Sequence, residues 1–476
     1  MSMRVASLVL CGAAVLAGKS SSAAMPSIGF HPMLPGSYQV NLRTNVNALL
    51  PKVGANSDGS MRYYAWADDR LKGGSSNGRP RRDVYFANSQ MVASPLRYLE
   101  IPPDVRLDGQ PGRDGDAVDL QLAASGAKVY VAWVDRFSDG STELFLRGSQ
   151  ASGQPGSWSN LLYLGSCRRV RGVDMLADVS GVYITWTTDL RDGTGVIRCA
   201  RFQWNRWTLL AEAISWLRVS DGSKRVYTPK IAKSSTHLYL TYGVGDWGKE
   251  DIYFRSFVLG RGVWWSPPQR LDSGDALGAT QSHSPVLAAA GDNICAVWVD
   301  DREGSPAIYA TTSADFGATW SPAQRISTGG ALSARDPKVV FSGNRFYAVW
   351  SEYQSGWQIF HRRAIPTSSA ANWDSSSQRL DSGTVGATKP SIAAAGDNVM
   401  VCWEDGRHSL PTIYGNYTND GGNTWQSSDA PIGTQYPGYR ADRSPEVVVR
   451  VDRVDVVFLR FRYGTPDVFT AGWSAP

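Results

Sequence analysis

Pro285 to Trp298 reads PVLAAAGDNICAVW, Pro337 to Trp350 reads PKVVFSGNRFYAVW, and Pro390 to Trp403 reads PSIAAAGDNVMVCW. Each stretch opens on Pro, crosses a polar turn and ends on Trp thirteen residues later. Pro229 to Tyr242 and Pro445 to Phe458 keep the spacing with a different aromatic, and Pro51 to Trp66 adds two residues. Two further copies lack the Pro and end at Trp133 and Trp186, which makes eight. An apolar run, a Gly/Asn/Asp turn and a second apolar run spell a β-hairpin.

A third strand follows in most units, as in Asp83–Phe86, Asp251–Phe254, Ala307–Tyr309 and Asp467–Phe469. A fourth ends in sequences such as Gln269-Arg270-Leu271 and Gln378-Arg379-Leu380. Four antiparallel strands in about fifty residues are one blade of a β-propeller. The expected fold is therefore all-β, a propeller of eight four-stranded blades, with seven as the alternative count. The last unit stops soon after its third strand. The unpaired segment Tyr38–Leu42 is expected to complete that blade and remove the open edges of the ring.

Composition agrees. The chain of 476 residues carries 18 Trp, 20 Tyr, 48 Gly and 25 Pro, a mixture that suits short strands joined by tight turns. A net charge of +5 is too mild to imply a nucleic-acid protein, opposite charges are interspersed and no long basic run exists, so no nucleic-acid partner is expected. Residues 1–24 read as a secretory signal peptide, with Arg4, an apolar run from Val5 to Gly18 and a small-residue end at Ala23-Ala24. No later run is long enough for a membrane helix. The expectation is a secreted protein, extracellular or periplasmic, with residues 25–476 forming a single domain. Cys295 and Cys402 sit in apolar strands as small hydrophobes. Cys167 and Cys199 flank one repeat, and export would permit their pairing, which the sequence leaves open. No spacing suits a metal, and no cofactor is implied.

Ser313-Ala-Asp315-Phe-Gly317-Ala-Thr-Trp320 and Thr418-Asn-Asp420-Gly-Gly422-Asn-Thr-Trp425 follow the third strands of two repeats. Both match the Asp-box, S/T-x-D-x-G-x-T-W, of bacterial neuraminidase repeats. Trp158, Trp207, Trp264 and Trp373 look like worn copies. The chain thus resembles the sialidase-like propeller superfamily over nearly all of its mature length. The resemblance implies that Asp315, Gly317, Trp320, Asp420, Gly422 and Trp425 are scaffold, on the face opposite the family's active site. Its three-Arg clamp, its Tyr–Glu pair and the first Arg-Ile-Pro-like motif have no counterpart here, so no catalytic residue is carried over. Polysaccharide lyases on propellers use His and Tyr, and that set cannot be transferred either.

Loops from second to third strands and loops between blades open on one face. The first set carries Asp68-Asp69-Arg70, Asp135-Arg136, Asp300-Asp301-Arg302 and Glu404-Asp405-Gly406-Arg407, a recurrence that suits ion pairs between loops. The second set precedes the prolines and varies in type: Tyr227, His283, Arg335, Lys389 and Arg443 are the candidate ligand residues. Cations around a funnel would attract carboxylate or sulfate groups. The leading expectation is recognition of an extracellular acidic carbohydrate. The alternatives are a glycoside hydrolase or polysaccharide lyase with two carboxylates in the funnel, and a surface scaffold for proteins.

Overall fold

The computed structural model describes residues 38–40, 48–56, 61–70, 81–93, 96–98, 104–109, 115–167, 169–189, 195–204, 211–218, 225–260, 265–367, 371–384, 386–408, 410–432, 439–450, 453–462 and 465–474. Residues 1–24, assigned to a signal peptide, lie outside them, as do Trp207 and Trp264.

Eight antiparallel sheets form, six of four strands and two of five, and every described element is a strand. The innermost strands are Leu49–Ala55, Asp116–Ser125, Arg169–Asp178, Val226–Lys233, Ser282–Ala290, Ser333–Ser342, Thr388–Ala395 and Tyr439–Val449, in blades one to eight. Each touches the next, and that of blade eight touches that of blade one, so they enclose an axis. The eightfold count stands.

The aromatics that define the repeat end the second strands and form the core between blades. Trp66, Trp133, Trp186, Trp298, Trp350 and Trp403 are fully buried, and Tyr242 and Phe458 occupy the same place. Most face an aromatic on the third strand, as in Trp298–Tyr309 at 6.3 Å and Trp66–Tyr85 at 6.2 Å between centroids. Burial of rings this large is the main stabilising term, at about 25 cal/mol per Å² of apolar surface.

The ring closes as the sequence predicts. Tyr38 pairs with Thr470 and Gln39 with Phe469, and Val40 N–H donates to Val468 at 2.7 Å. Blade eight takes its outermost strand from the N-terminal side and its other three from the C-terminal side. A buried ion pair, Arg62–Asp455 at 2.9 Å, ties blade one to blade eight at that seam.

Cys199, Cys295 and Cys402 are buried free thiols, so Cys199 is in no disulfide with Cys167. Burial pushes the Cys199 thiol up to about 12, which makes it inert.

Candidate functional site

The inner strands carry a feature that the sequence reading missed. Every one is bulged at the same point, just where Pro or its substitute stands. The residue before it adopts a left-handed backbone at Leu50, Thr228, Ser284, Asp336, Lys389 and Ser444, with φ between 38° and 57°. Blade three has no Pro and places Gly172 there, with φ 59°. The signal was available: Pro lacks a donor, so inside a strand it marks an edge or a bulge. Here it marks both, because the inner strand of a blade is an edge facing the axis.

The bulge and the open edge of the inner strand leave backbone N–H groups without ladder partners, and side chains of the preceding blade accept them. Lys389 N–H donates to Ser351 Oγ at 3.1 Å, Ser444 N–H to Glu404 Oε1 at 2.8 Å and Ile231 N–H to Asp174 Oδ2 at 2.9 Å. Val447 N–H reaches Ser391 Oγ at 3.3 Å, and Asp119 accepts from Val173. The acceptors Asp119, Asp174 and Ser391 occupy one equivalent position, the first ladder-paired residue past each bulge.

That position faces the axis, where a cavity of about 590 Å³ opens. Its wall includes Lys52, Asp119, Lys230, Val286, Lys338, Ser391 and Glu446 at the position past the bulge, and Leu50, Thr228, Ser284, Asp336, Lys389 and Ser444 at the left-handed one. Lys52 meets Glu446 at 2.7 Å, and Lys230 meets Asp174 at 3.2 Å. Burial raises the Glu446 carboxyl, but Lys52 and Lys338 outweigh it and hold the group below the usual range. Burial pushes the Asp119 carboxyl up, with Lys52 opposing. The sequence reading overlooked these residues, although Pro-Lys recurs at 51–52, 229–230 and 337–338 and Pro-Glu at 445–446.

Of the five candidates before the prolines, Lys389 lines the cavity. Its Nζ lies 3.1 Å from Glu404 Oε1. The other four stand one residue earlier, on the upper ends of the inner strands of blades four, five, six and eight. Arg335 is exposed, pairs with Asp336 at 3.4 Å and stacks 3.8 Å from the Trp357 ring centroid. Arg443 is exposed and makes no ion pair among the described residues, because its neighbour Asp442 is held by buried Arg460 at 2.7 and 2.8 Å. Tyr227 lies 5.2 Å from the Arg171 guanidinium, and its buried hydroxyl finds no hydrogen-bond partner among the described residues. His283 is half-buried with Nδ1 2.9 Å from Ser284 Oγ, and burial lowers its pKa, so it presents a neutral ring at pH 7. The same face exposes Trp247, Leu277, Leu332 and Leu410 on loops of blades four to seven, and Tyr353 at the end of the strand Arg345–Tyr353.

The acidic loops behind the repeated Trp are internal ties. Trp66, Trp298 and Trp403 donate their indole N–H to Asp68, Asp300 and Asp405, two residues on, at 2.8, 2.9 and 3.1 Å. The Arg four residues after the Trp clamps the same carboxylate and lies over the third-strand Tyr: Arg70 on Tyr85, Arg302 on Tyr309, Arg407 on Tyr414. In blade two Arg136 comes one residue too early, is exposed, and leaves Asp135 unclamped.

The two motif loops are also built as scaffold. Asp315 accepts from Thr319 N–H at 2.9 Å, Ser313 Oγ accepts from Gly317 N–H at 2.9 Å, and Trp320 packs edge-on against Phe254 of the preceding blade. Asp420, Thr418 and Gly422 repeat the bonds, and Trp425 packs on His361. Ser149 and Trp158 keep the arrangement in blade two without the Asp. These loops join third to fourth strands and bond to the first hairpin turns, as Phe316 N–H does to Asp292, so they lie on the face away from Arg335 and Arg443.

No protein-family model and no curated protein matches the sequence. Among solved structures the chain is similar to an α-L-arabinanase of Penicillium chrysogenum, at 12% identity over 92% of this chain and 98% of that one, with a TM-score of 0.40. It is also similar to the sialidase of Trypanosoma rangeli, at 8% identity over 93% of this chain and 58% of that one, with a TM-score of 0.36. The β-propeller domain of the Trilobed protease from Pyrococcus furiosus is a third, at 9% over 82% and 99%, with a TM-score of 0.41. The likeness concerns fold, and no residue role is taken from it.

Proposed function

We propose that this propeller is an exported protein that recognises an acidic carbohydrate on the face opposite the motif loops. One observation carries the reading. Arg335, Lys389 and Arg443 stand exposed on the inner strands of three successive blades around the cavity mouth, and Arg443 lacks a counter-ion among the described residues. Asp336 and Glu404 offset Arg335 and Lys389, which leaves the charge of Arg443 for a ligand carboxylate or sulfate to answer. Trp247, 79% exposed, and Tyr353 add rings on which sugar faces stack.

The test is binding of uronate-containing and sulfated oligosaccharides against neutral ones at two salt concentrations. Acidic ligands should bind at least tenfold more tightly at 0.1 M salt. The preference should collapse at 1 M, where charges interact over only about 3 Å. Arg443→Ala should weaken binding without changing the melting temperature. Equal, salt-independent binding of neutral and acidic sugars would overturn the reading.

A second reading is hydrolysis of the bound glycan. Asp119 is shifted up and Glu446 down within one cavity, and carboxyls driven apart in this way divide into acid and base. Release of reducing ends, lost in Asp119→Asn and Glu446→Gln variants that still bind, would support it.

A further inference from the structure

Tyr227, His283, Arg335 and Arg443 hold one position, the last ladder pair before the bulge, opposite Gly243, Val299, Ser351 and Leu459. In blade three the position is Arg171, opposite Thr187. The rim thus sets arginines at blades three, six and eight and a histidine at blade five. Arginine keeps its charge at every working pH. Histidine, with an ordinary pKa of about 6.5, changes charge between pH 5 and 8.

The surroundings of His283 are acidic. Glu250 acts on it from the second-to-third strand loop of blade four, and Asp300 and Asp301 from the end of its own blade's second strand. Asp300 is answered by Arg302. Glu250 and Asp301 form no ion pair among the described residues: Glu250 accepts from Gly248 N–H at 3.0 Å, and Asp301 from Gln281 N–H at 2.7 Å. On the flanks stand Tyr227 in blade four and Arg335, paired with Asp336, in blade six. While His283 is neutral, its sector therefore carries two carboxylates outside any ion pair, which repel an anionic chain crossing the rim. His283 Nδ1 lies 2.9 Å from Ser284 Oγ. The imidazolium can donate to that oxygen and keep Nε2–H for a ligand oxygen.

We infer that His283 is a proton switch on glycan binding at the rim, where a proton taken up offsets the carboxylates around blade five and supplies a charged donor to a sulfate or carboxylate. The inference rests on the rim reading above and adds its regulation. Burial lowers the His283 pKa, with Glu250, Asp301 and Asp300 opposing, so the charged form gains ground only below about pH 6.5. Affinity should rise as pH falls through that window. By reciprocity, a bound anion should raise the pH at which His283 titrates.

The probe is a sulfated dextran oligosaccharide, whose charge is constant between pH 5 and 7.5. Full-length protein should bind it at least about threefold more tightly at pH 5 than at pH 7.5. His283→Gln should remove most of that gain, and His283→Lys should bind at pH 7.5 as wild type does at pH 5. Arg443→Ala should weaken binding at both values with the gain intact. In wild type the His283 ring resonance, assigned by its loss in His283→Gln, should titrate at higher pH when the probe is bound. An equal gain in wild type and His283→Gln overturns the inference and leaves the rim reading standing. A His283 titration indifferent to bound probe overturns it as well, without need of a variant that folds. Binding at neither pH overturns both readings.

Discussion

Arg302 holds Asp300 with two nitrogens at once, Nε to Oδ1 at 2.8 Å and Nη2 to Oδ2 at 2.5 Å. Burial raises the Asp300 carboxyl, but Arg302 and Trp298 more than reverse that and hold it below the usual range. A carboxyl lowered in the folded state stabilises above its ordinary value near 3.9 and loses that contribution as pH falls further. Asp300→Ala leaves the Trp298 N–H without an acceptor and the guanidinium with only the Asp272 and Ser273 carbonyls, and should cost about 3 kcal/mol at pH 7. Chemical denaturation at pH 7 and pH 3 checks this, since the penalty should shrink at the lower pH.

Asp135 should behave in the opposite way. Burial first, and then the charge of Asp108, push it up to about 7. The folded state therefore takes up a proton between about pH 7 and 4 that the unfolded chain does not, and stability rises as pH falls through that window. Asp135→Asn should stabilise the protein by about 1–2 kcal/mol at pH 8 and flatten this dependence. A melting temperature at pH 8 below that of wild type would contradict the assignment.

The bulges give a matched pair of substitutions. A Cβ on Gly172 would stand 2.9 Å from Pro229 Cδ of the next blade, at φ 59°, so Gly172→Ala should cost more than about 1 kcal/mol. Thr228 holds the same kind of backbone with a branched side chain, which costs of order 1–3 kcal/mol. Thr228→Gly should be neutral or stabilising by about 1 kcal/mol. Thermal melts of both variants measure the asymmetry.

In the motif loops the glycine should matter more than the acid. A Cβ on Gly317 would come within 2.3 Å of the Phe254 ring, at φ 84°. Gly317→Ala should therefore lower the melting temperature more than Asp315→Ala, whose carboxylate lies at the surface of its turn. Glycan binding at 25 °C should survive both changes. A folded Asp315→Ala variant that no longer binds would move the site to that face.

Blade number and closure were readable because they rest on large residues at fixed spacing. An aromatic thirteen residues after a Pro is buried in every blade that has one, and Tyr38–Gln39 supplies the missing strand. The bulges and the cavity were not read, because a bulge moves side chains by one place and breaks the alternation that assigns faces. Lys338 looks like a surface residue in a strand pattern, and only the ring places it beside the axis. The rim residues were found by their variety, yet the loop before Pro390 puts Lys389 one step deeper than Arg335 and Arg443. Asp442 is the sequence neighbour of Arg443, yet Arg460, across the strand pair, holds it.

Pairing Tyr38 with Thr470 also fixes an order of events. Blades one to seven are contiguous in the chain and can stack while it is still being made. The eighth waits for the final strand and then for a segment that emerged first. The contact that shuts the ring thus joins strands more than four hundred residues apart, Tyr38 to Thr470, and such contacts form slowly. Until it forms, two sheet edges stand open to pairing with other molecules. A chain that lacks the strand Thr465–Ser474 has nothing for Tyr38 to join, so the seam acts as a proofreading step in which only a molecule carrying both strands hides its edges.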